Sequence, residues 1–234
     1  MQIKDSVVFI TGANRGLGLS FAKAALAAGA KKVYGAARDA SSVTLAGVTP
    51  VALDVTQPAQ VEAAAAACGD VTLLINNAGI SRGGLLLGPA DAFDAARAEF
   101  ETNFFGVWSV ARAFAPVLKA NGGGAMVNVL SALSWLSLPS SQTYSASKSA
   151  AWSLSNGLRD ALREQGTQVT SLHVAFMETD MTAGIQGDKA SPDDVAALTL
   201  DGVEAGQFEV LADAVTRQLK QSLSSETPAY AGAR

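Results

Sequence analysis

Cysteine and histidine are almost missing from this chain: Cys68 and His173 are the only ones in 234 residues. A disulfide framework is therefore excluded, and so is a cysteine-based metal site. A zinc centre or a Ser-His-Asp triad would have to rest on His173 alone. Charge is also scarce, at 16% of residues, with a formal net charge of -4 and no basic stripe. That pattern excludes nucleic acid as the main partner. No apolar run approaches the roughly 20 residues that span a bilayer, so no membrane partner is expected. Met1–Asp5 leads straight into an apolar strand without the parts of a secretory leader. A cytoplasmic protein is the expectation.

What the chain has in quantity is apolar and small. Hydrophobic residues make up 49%, and there are 22 glycines. Such a chain can fill a core. Its length suits a single α/β domain, expected over residues 1–223, with a flexible polar tail over 224–234.

Short β-branched runs alternate with alanine-rich helical stretches. Strands are predicted at Val7–Ile10, Lys32–Ala37, Thr49–Leu53, Val71–Ile75, Ala125–Leu130, Val169–Val174 and Phe208–Leu211. Helices are predicted at Gly16–Ala28, Pro58–Cys68, Asp91–Ala120, Thr143–Gln165 and from Pro192 onward. This alternation predicts an α/β fold, a Rossmann-type doubly wound parallel sheet with helices on both faces. Strands so apolar predict burial on both sides.

Thr11-Gly12-Ala13-Asn14-Arg15-Gly16-Leu17-Gly18 joins the first strand to the first helix. Glycines there permit tight turning and close backbone approach to a pyrophosphate, which the helix N-terminus attracts. Ala37, at the end of the second strand, stands where an NAD enzyme places an acid on the adenosine ribose, and Arg38 follows. A guanidinium suits a 2′-phosphate, and Arg15 offers a second positive charge. NADP(H) is predicted over NAD(H). NAD(H) stays open, because Asp39 is only one place further on.

Tyr144 and Lys148 are four apart, so on a helix they share a face. A free phenol, with a pKa near ~10, is a poor base at neutral pH. A nearby ammonium favours the phenolate, so Lys148 is expected to bring Tyr144 into the working range.

The ordered motifs of the chain are the Thr11–Gly18 loop, Asp54 after the third strand, Asn76-Asn77-Ala78-Gly79 after the fourth, Asn103 in the long helix, Ser131 after the fifth strand and the Tyr144/Lys148 pair. With them the chain resembles the short-chain dehydrogenases/reductases, from Ser6 to about Leu211. The resemblance implies hydride transfer between a nicotinamide nucleotide and a carbonyl or secondary alcohol. It makes Tyr144 the proton donor and Ser131 the partner of the substrate oxygen. It also has Lys148 hold the nicotinamide ribose, and Asn103 hold a helix distortion and a water in a proton relay. Asp54 contacts the adenine with Val55 beside it, while Asn76, Asn77, Ala78 and Gly79 line the cofactor and steady the sheet. Thr179 contacts the nicotinamide carboxamide. Family members commonly pair as homodimers, here through Ala150, Ala151, Trp152 and Leu154 of the Tyr144 helix; a homotetramer stays possible.

Val174 and Ala175 stand where the family usually has Pro-Gly, so that turn must be built differently. Leu133, Trp135, Leu136 and Leu138, with Phe176, Met177 and Met181, predict an apolar substrate wall. A lipophilic or aromatic ketone or aldehyde fits such a wall. Two other functions share the fold: epimerisation or dehydration, and sensing of the nucleotide without turnover.

Overall fold

The computed structural model describes residues 1–184 and 186–232. Seven parallel strands form one sheet, in the order β3-β2-β1-β4-β5-β6-β7. They are β1 (Val7–Thr11), β2 (Lys32–Ala37), β3 (Val48–Ala52), β4 (Leu73–Asn76), β5 (Ala125–Val129), β6 (Gln168–His173) and β7 (Glu209–Leu211). The helices are α1 (Gly16–Ala27), α2 (Pro58–Ala67), α3 (Ala92–Phe100), α4 (Val107–Ala120), α5 (Gln142–Ala161), α6 (Pro192–Glu204) and α7 (Ala214–Ser222). The fold is the doubly wound Rossmann type. Among the described residues, no helix is long and apolar enough to cross a membrane.

Two apolar layers hold the sheet. Val8 and Ile10 of β1 point to α1 and α6, where they meet Phe21, Ala25, Leu200 and Val203. Val7 and Phe9 point the other way, to α2 and α4, where they meet Val61, Phe114 and Leu118. Phe9 and Phe114 have ring centres 4.6 Å apart. Strand β1 is thus buried throughout.

Strand β3 is different. It is the sheet edge, and Thr49, Pro50 and Ala52 are exposed, which corrects the expectation of burial on both sides. Pro50 has no N–H to donate, and an edge tolerates that. A second correction concerns the long helix predicted at Asp91–Ala120. It is helical throughout, but Glu101–Gly106 widens into a π-helical turn between α3 and α4. Helix α5 stops at Ala161, short of the predicted Gln165, and Gly166 then takes a positive φ of 75°. Helix α7 was not anticipated. It starts on a capping box in which Asp213 accepts from the Thr216 N–H at 2.8 Å.

The chain leaves β1 toward one face of the sheet and β4 toward the other. Their carboxyl ends therefore flank a crevice, the usual ligand site in this architecture.

Candidate active site

The crevice floor is the glycine loop. Gly12 and Gly16 have φ of 68° and 52°, a region costly for other residues. A Cβ on Gly12 would lie 3.1 Å from the Ala78 backbone, and one on Gly18 would lie 2.0 Å from the Gly12 carbonyl oxygen. The Asn77 side-chain amide donates to the carbonyls of Thr11 and Gly12 at 2.9 and 3.1 Å. Thr11 Oγ1 accepts from the N–H groups of Asn77 and Ala78 at 2.9 and 3.0 Å. The ends of β1 and β4 are thereby locked together. Arg15 precedes α1, and no side chain caps that helix. A bare helix start over a glycine cradle fits a pyrophosphate. Leu17 sinks its side chain into the core, so only its backbone borders the cradle. Asn14 is half-buried beside it. Asn76 faces away from the crevice: its amide donates to Asn128 Oδ1 at 2.9 Å inside the sheet. It steadies the sheet and does not line the cradle.

At the β2 end, Arg38 is exposed and forms no ion pair among the described residues. The Asp39 carboxylate is turned into its own turn, where Oδ1 accepts from Ser41 N–H and Oγ at 2.9 and 2.6 Å. Arg15 does not join Arg38. Its guanidinium meets Asp180 at 2.8 Å, across the crevice mouth. Asp54 Oδ1 accepts from Thr56 N–H and Oγ1 at 3.0 and 2.8 Å, and Val55 is buried against Gly106.

The crevice wall carries the candidate catalytic residues. Tyr144 and Lys148 lie on α5, and Ser131 follows β5. The Ser131 side chain is close enough to the Tyr144 phenol to favour its ionised form. Lys148 is 5% exposed. Its Nζ donates to the Val129 carbonyl at 2.9 Å and stands 5.8 Å from the centre of the Tyr144 ring. Burial pushes the Lys148 ammonium down to about 8. Burial pushes the Tyr144 phenol up to about 12; the Ser131 side chain opposes this and the charge of Glu99 adds to it. The expected lowering by Lys148 does not appear: desolvation is the largest effect on the phenol, and the ammonium is not among the groups that act on it. In this state Tyr144 is a protonated acid.

Asn103 sits inside the π-helical turn, fully buried. Its Oδ1 accepts from Ile80 N–H at 2.9 Å, and its Nδ2 donates to the Ile80 carbonyl and to Ser147 Oγ, both at 2.9 Å. Ser147 Oγ donates onward to the Tyr144 carbonyl at 2.7 Å. The wide turn therefore braces α5. Gly79 leaves the room this needs, since a Cβ there would lie 3.2 Å from Asn103 Oδ1 and 3.6 Å from Lys148 Nζ.

Ser134 and His173 support Ser131. Ser134 Oγ accepts from the Ser131 N–H at 3.4 Å, closing a capping box. His173 Nδ1 lies 3.1 Å from the Ser131 carbonyl oxygen. Trp135 stacks on His173 at 3.9 Å and meets Trp152 edge-on. Trp135 is thus buried packing and not part of a substrate wall. Its indole covers the imidazole because the turn after Ser131 directs it inward.

On the substrate side, Leu133, Phe176 and Met177 are half-buried and Met181 is 52% exposed. Leu136 and Leu138 are half-buried as well. Thr179 reaches the glycine loop: a Cβ on Gly16 would lie 3.4 Å from its methyl group. The turn lacking Pro-Gly is held by Asp213, whose Oδ2 accepts from Ala175 N–H at 2.8 Å. Nothing in the motifs pointed to that residue. The segment beyond closes on itself, with Ala190 N–H donating to the Phe176 carbonyl at 2.8 Å.

An acid beside a hydroxyl, a buried ammonium and an anion cradle form one continuous crevice. The family model described as short chain dehydrogenase matches residues 6–190. A short chain dehydrogenase of Burkholderia cenocepacia J2315, solved in complex with NADP, superposes with a TM-score of 0.92 at 39% identity. It covers 97% of this chain and 95% of that one. A short chain dehydrogenase/reductase of Burkholderia phymatum in complex with NAD gives a TM-score of 0.82 at 28% identity over 95% of both chains. The 3-oxoacyl-(acyl-carrier-protein) reductase of Salmonella typhimurium is 30% identical over 217 residues, 89% of this chain and 86% of its own. Solved relatives thus hold either nucleotide. By fold, crevice and likeness alike, the chain belongs to the short-chain dehydrogenases/reductases, oxidoreductases that work with a nicotinamide nucleotide.

Proposed function

We propose that this protein reduces a lipophilic or aromatic carbonyl compound with NADPH, with Tyr144 donating the proton. The observation that carries the reading is the grouping of Tyr144, Lys148 and Ser131 at one wall of the crevice, with Lys148 Nζ 5.8 Å from the Tyr144 ring centre and bonded to the Val129 carbonyl two residues before Ser131. A reduced nicotinamide bound there supplies the hydride. Ser131 and Tyr144 hydrogen-bond the carbonyl oxygen, where negative charge develops, and Tyr144 then gives it a proton. Lys148, beside Tyr144 and the Gly79 backbone, holds the nicotinamide ribose and offsets the phenolate that remains. Asn103 anchors the water that passes a proton back toward Lys148. Asn14, Asn77, Ala78 and Gly79 border the nucleotide, Thr179 its carboxamide, and Asp54 with Val55 its adenine.

NADPH is favoured because Arg38 is free to meet a 2′-phosphate, while Asp39 is occupied by Ser41. Arg15 gives up an exposed ion pair to join it, at a cost of about 1 kcal/mol or less. The apolar side chains of Leu133, Phe176, Met177 and Met181 favour a lipophilic substrate, in keeping with a relative that reduces 3-oxoacyl groups.

A homodimer fits the outer face of α4 and α5. Phe105 and Trp108 are exposed there, and a groove runs along Phe104, Trp108, Ala150, Ser153 and Leu154. Ala151 and Trp152, expected on that face, turn inward instead.

The test is NADPH consumption over a panel of aryl ketones, alkyl ketones, aldehydes and sugars. Turnover with the lipophilic carbonyls and a kcat/KM favouring NADPH over NADH is the expected result. Turnover restricted to sugars, or NADPH binding with no turnover on any carbonyl, would sink the reading and favour the sensor alternative.

A further inference from the structure

Trp135 is buried, yet its indole Nε1 has no hydrogen-bond partner among the described residues. A buried tryptophan usually finds one, and an orphaned donor costs free energy. A smaller apolar side chain would avoid that cost. The bulk and flat faces of this indole therefore need a reason.

Its contacts supply one. The ring stacks on His173 at the end of β6, with centres 3.9 Å apart. Trp152 of α5 meets it at right angles, 6.3 Å away. Lys220 of α7 sets its Nζ 5.0 Å from the centre of the Trp135 ring and 5.8 Å from that of Trp152, and Glu209 holds it there at 2.9 Å. A cation over indole rings is attracted to them. Strand β6, helix α5 and helix α7 thus converge on one side chain.

That side chain ends the turn that begins at Ser131. The turn is tied to β6 by His173 Nδ1, 3.1 Å from the Ser131 carbonyl oxygen, and by the Ala132 N–H, which donates to the Val174 carbonyl at 2.9 Å. It is tied to α5 by Ser149 Oγ, which donates to the Ser134 carbonyl at 2.9 Å. Ser149 and Trp152 follow Lys148 by one residue and by one turn of the same helix. The aromatic stack therefore fills the space between the elements that carry Ser131 and Tyr144.

We propose that Trp135 is a positioning residue: wedged between His173 and Trp152 and roofed by Lys220, it sets how far the Ser131 turn stands from the Tyr144 helix. The inference rests on the reading of Ser131 and Tyr144 as the pair that meets the carbonyl oxygen. Two donors serve one oxygen only when their spacing suits it, and a misplacement of about 1 Å can cost about 100-fold in rate. The glycine loop follows β1, three strands away from β6. The wedge therefore acts on turnover and leaves nucleotide binding alone.

The experiment measures kcat with an aryl ketone, the Kd for NADPH and thermal unfolding in the wild type, Trp135→Phe and Trp135→Leu. Phenylalanine keeps an aromatic face and drops the orphaned N–H; leucine keeps an apolar side chain without the stack. Trp135→Leu is expected to lose about 10–100-fold in kcat while its Kd for NADPH stays within about twofold of the wild type. Trp135→Phe is expected to keep most of the turnover. A role in core packing alone would lower thermal stability but leave kcat per NADPH-binding site unchanged, and that result overturns the proposal. Equal losses of kcat in the two variants overturn it as well, and so does a loss of NADPH affinity as large as the loss of kcat. If Trp135→Leu does not fold, Trp152→Leu removes the other end of the stack from a half-buried site and is judged by the same readings. Undiminished turnover in Tyr144→Phe sinks the reading of the pair. Collapse there, with wild-type kcat in Trp135→Leu, sinks the positioning role alone.

Discussion

The carbonyl oxygen of Ser131 and Nδ1 of His173 are 3.1 Å apart in the buried interior. A carbonyl only accepts, so Nδ1 carries the hydrogen. The imidazole is sandwiched against Trp135, and its Nε2 faces Glu209 at 3.5 Å. Glu209 is itself held by Lys220 at 2.9 Å. Burial pushes His173 down to about 3, so it is neutral whenever the protein is folded near neutral pH.

That depression has a definite sign. Above the ordinary histidine value of about 6.5, His173 is neutral both folded and unfolded and has no linkage effect. As pH falls below 6.5, the unfolded chain takes up a proton that the folded one refuses, and stability is lost progressively toward pH 3. From pH 7 to pH 5 this one group should cost about 2 kcal/mol. Urea unfolding at both pH values checks it. His173→Gln should lose less stability than the wild type by that amount; equal losses would show that the histidine is not responsible.

Asn103→Ala should be among the most damaging single changes in the site. It strands both part-buried backbone groups of Ile80 and removes the donor to Ser147 Oγ, which keeps its own bond to the Tyr144 carbonyl. Each unsatisfied group costs about 1–3 kcal/mol. A drop of roughly 3 kcal/mol in urea unfolding is expected, with a fall in kcat as α5 loses its brace. A variant of wild-type stability would mean that the π-helical turn holds without the amide.

Arg38→Ala tests the cofactor reading. A charge-assisted bond to a 2′-phosphate predicts a drop of about 10–100-fold in kcat/KM for NADPH. NADH, which has no such phosphate, should be nearly unaffected. A parallel loss with both nucleotides would remove Arg38 from the phosphate site.

These predictions also show what the chain discloses by itself. The alternation of strands and helices, the glycine loop and the Tyr144/Lys148 spacing were legible because local period and spacing carry them. The exposure of β3 was not, since being an edge depends on strand order and not on composition. Trp135 illustrates the same limit. Trp135 reads as part of the substrate wall, yet it packs on His173 behind the crevice, because the turn after Ser131 sets its direction. Asp213 was invisible for a related reason: it reaches Ala175 across 38 residues. The rise of the Tyr144 phenol depends on burial, which four-residue spacing cannot report.

Lys148 should trade stability for activity. Burial holds its pKa near 8 against an ordinary value of 10.5. Between those values the unfolded chain binds the proton and the folded one does not, so wild-type stability rises with pH from about 8 to 10.5. Lys148→Met should lack that rise and gain roughly 1–3 kcal/mol at neutral pH, while turnover collapses. Wild-type thermal unfolding that is flat over the same pH range would contradict the buried, depressed ammonium.

The most direct test of the account is single-turnover NADPH oxidation with a lipophilic ketone, in the wild type and in Tyr144→Phe, alongside NADPH binding to both. The account predicts full binding in both and a loss of the chemical step of at least about 100-fold in the variant. Undiminished reduction by Tyr144→Phe would contradict it and remove Tyr144 as the proton donor.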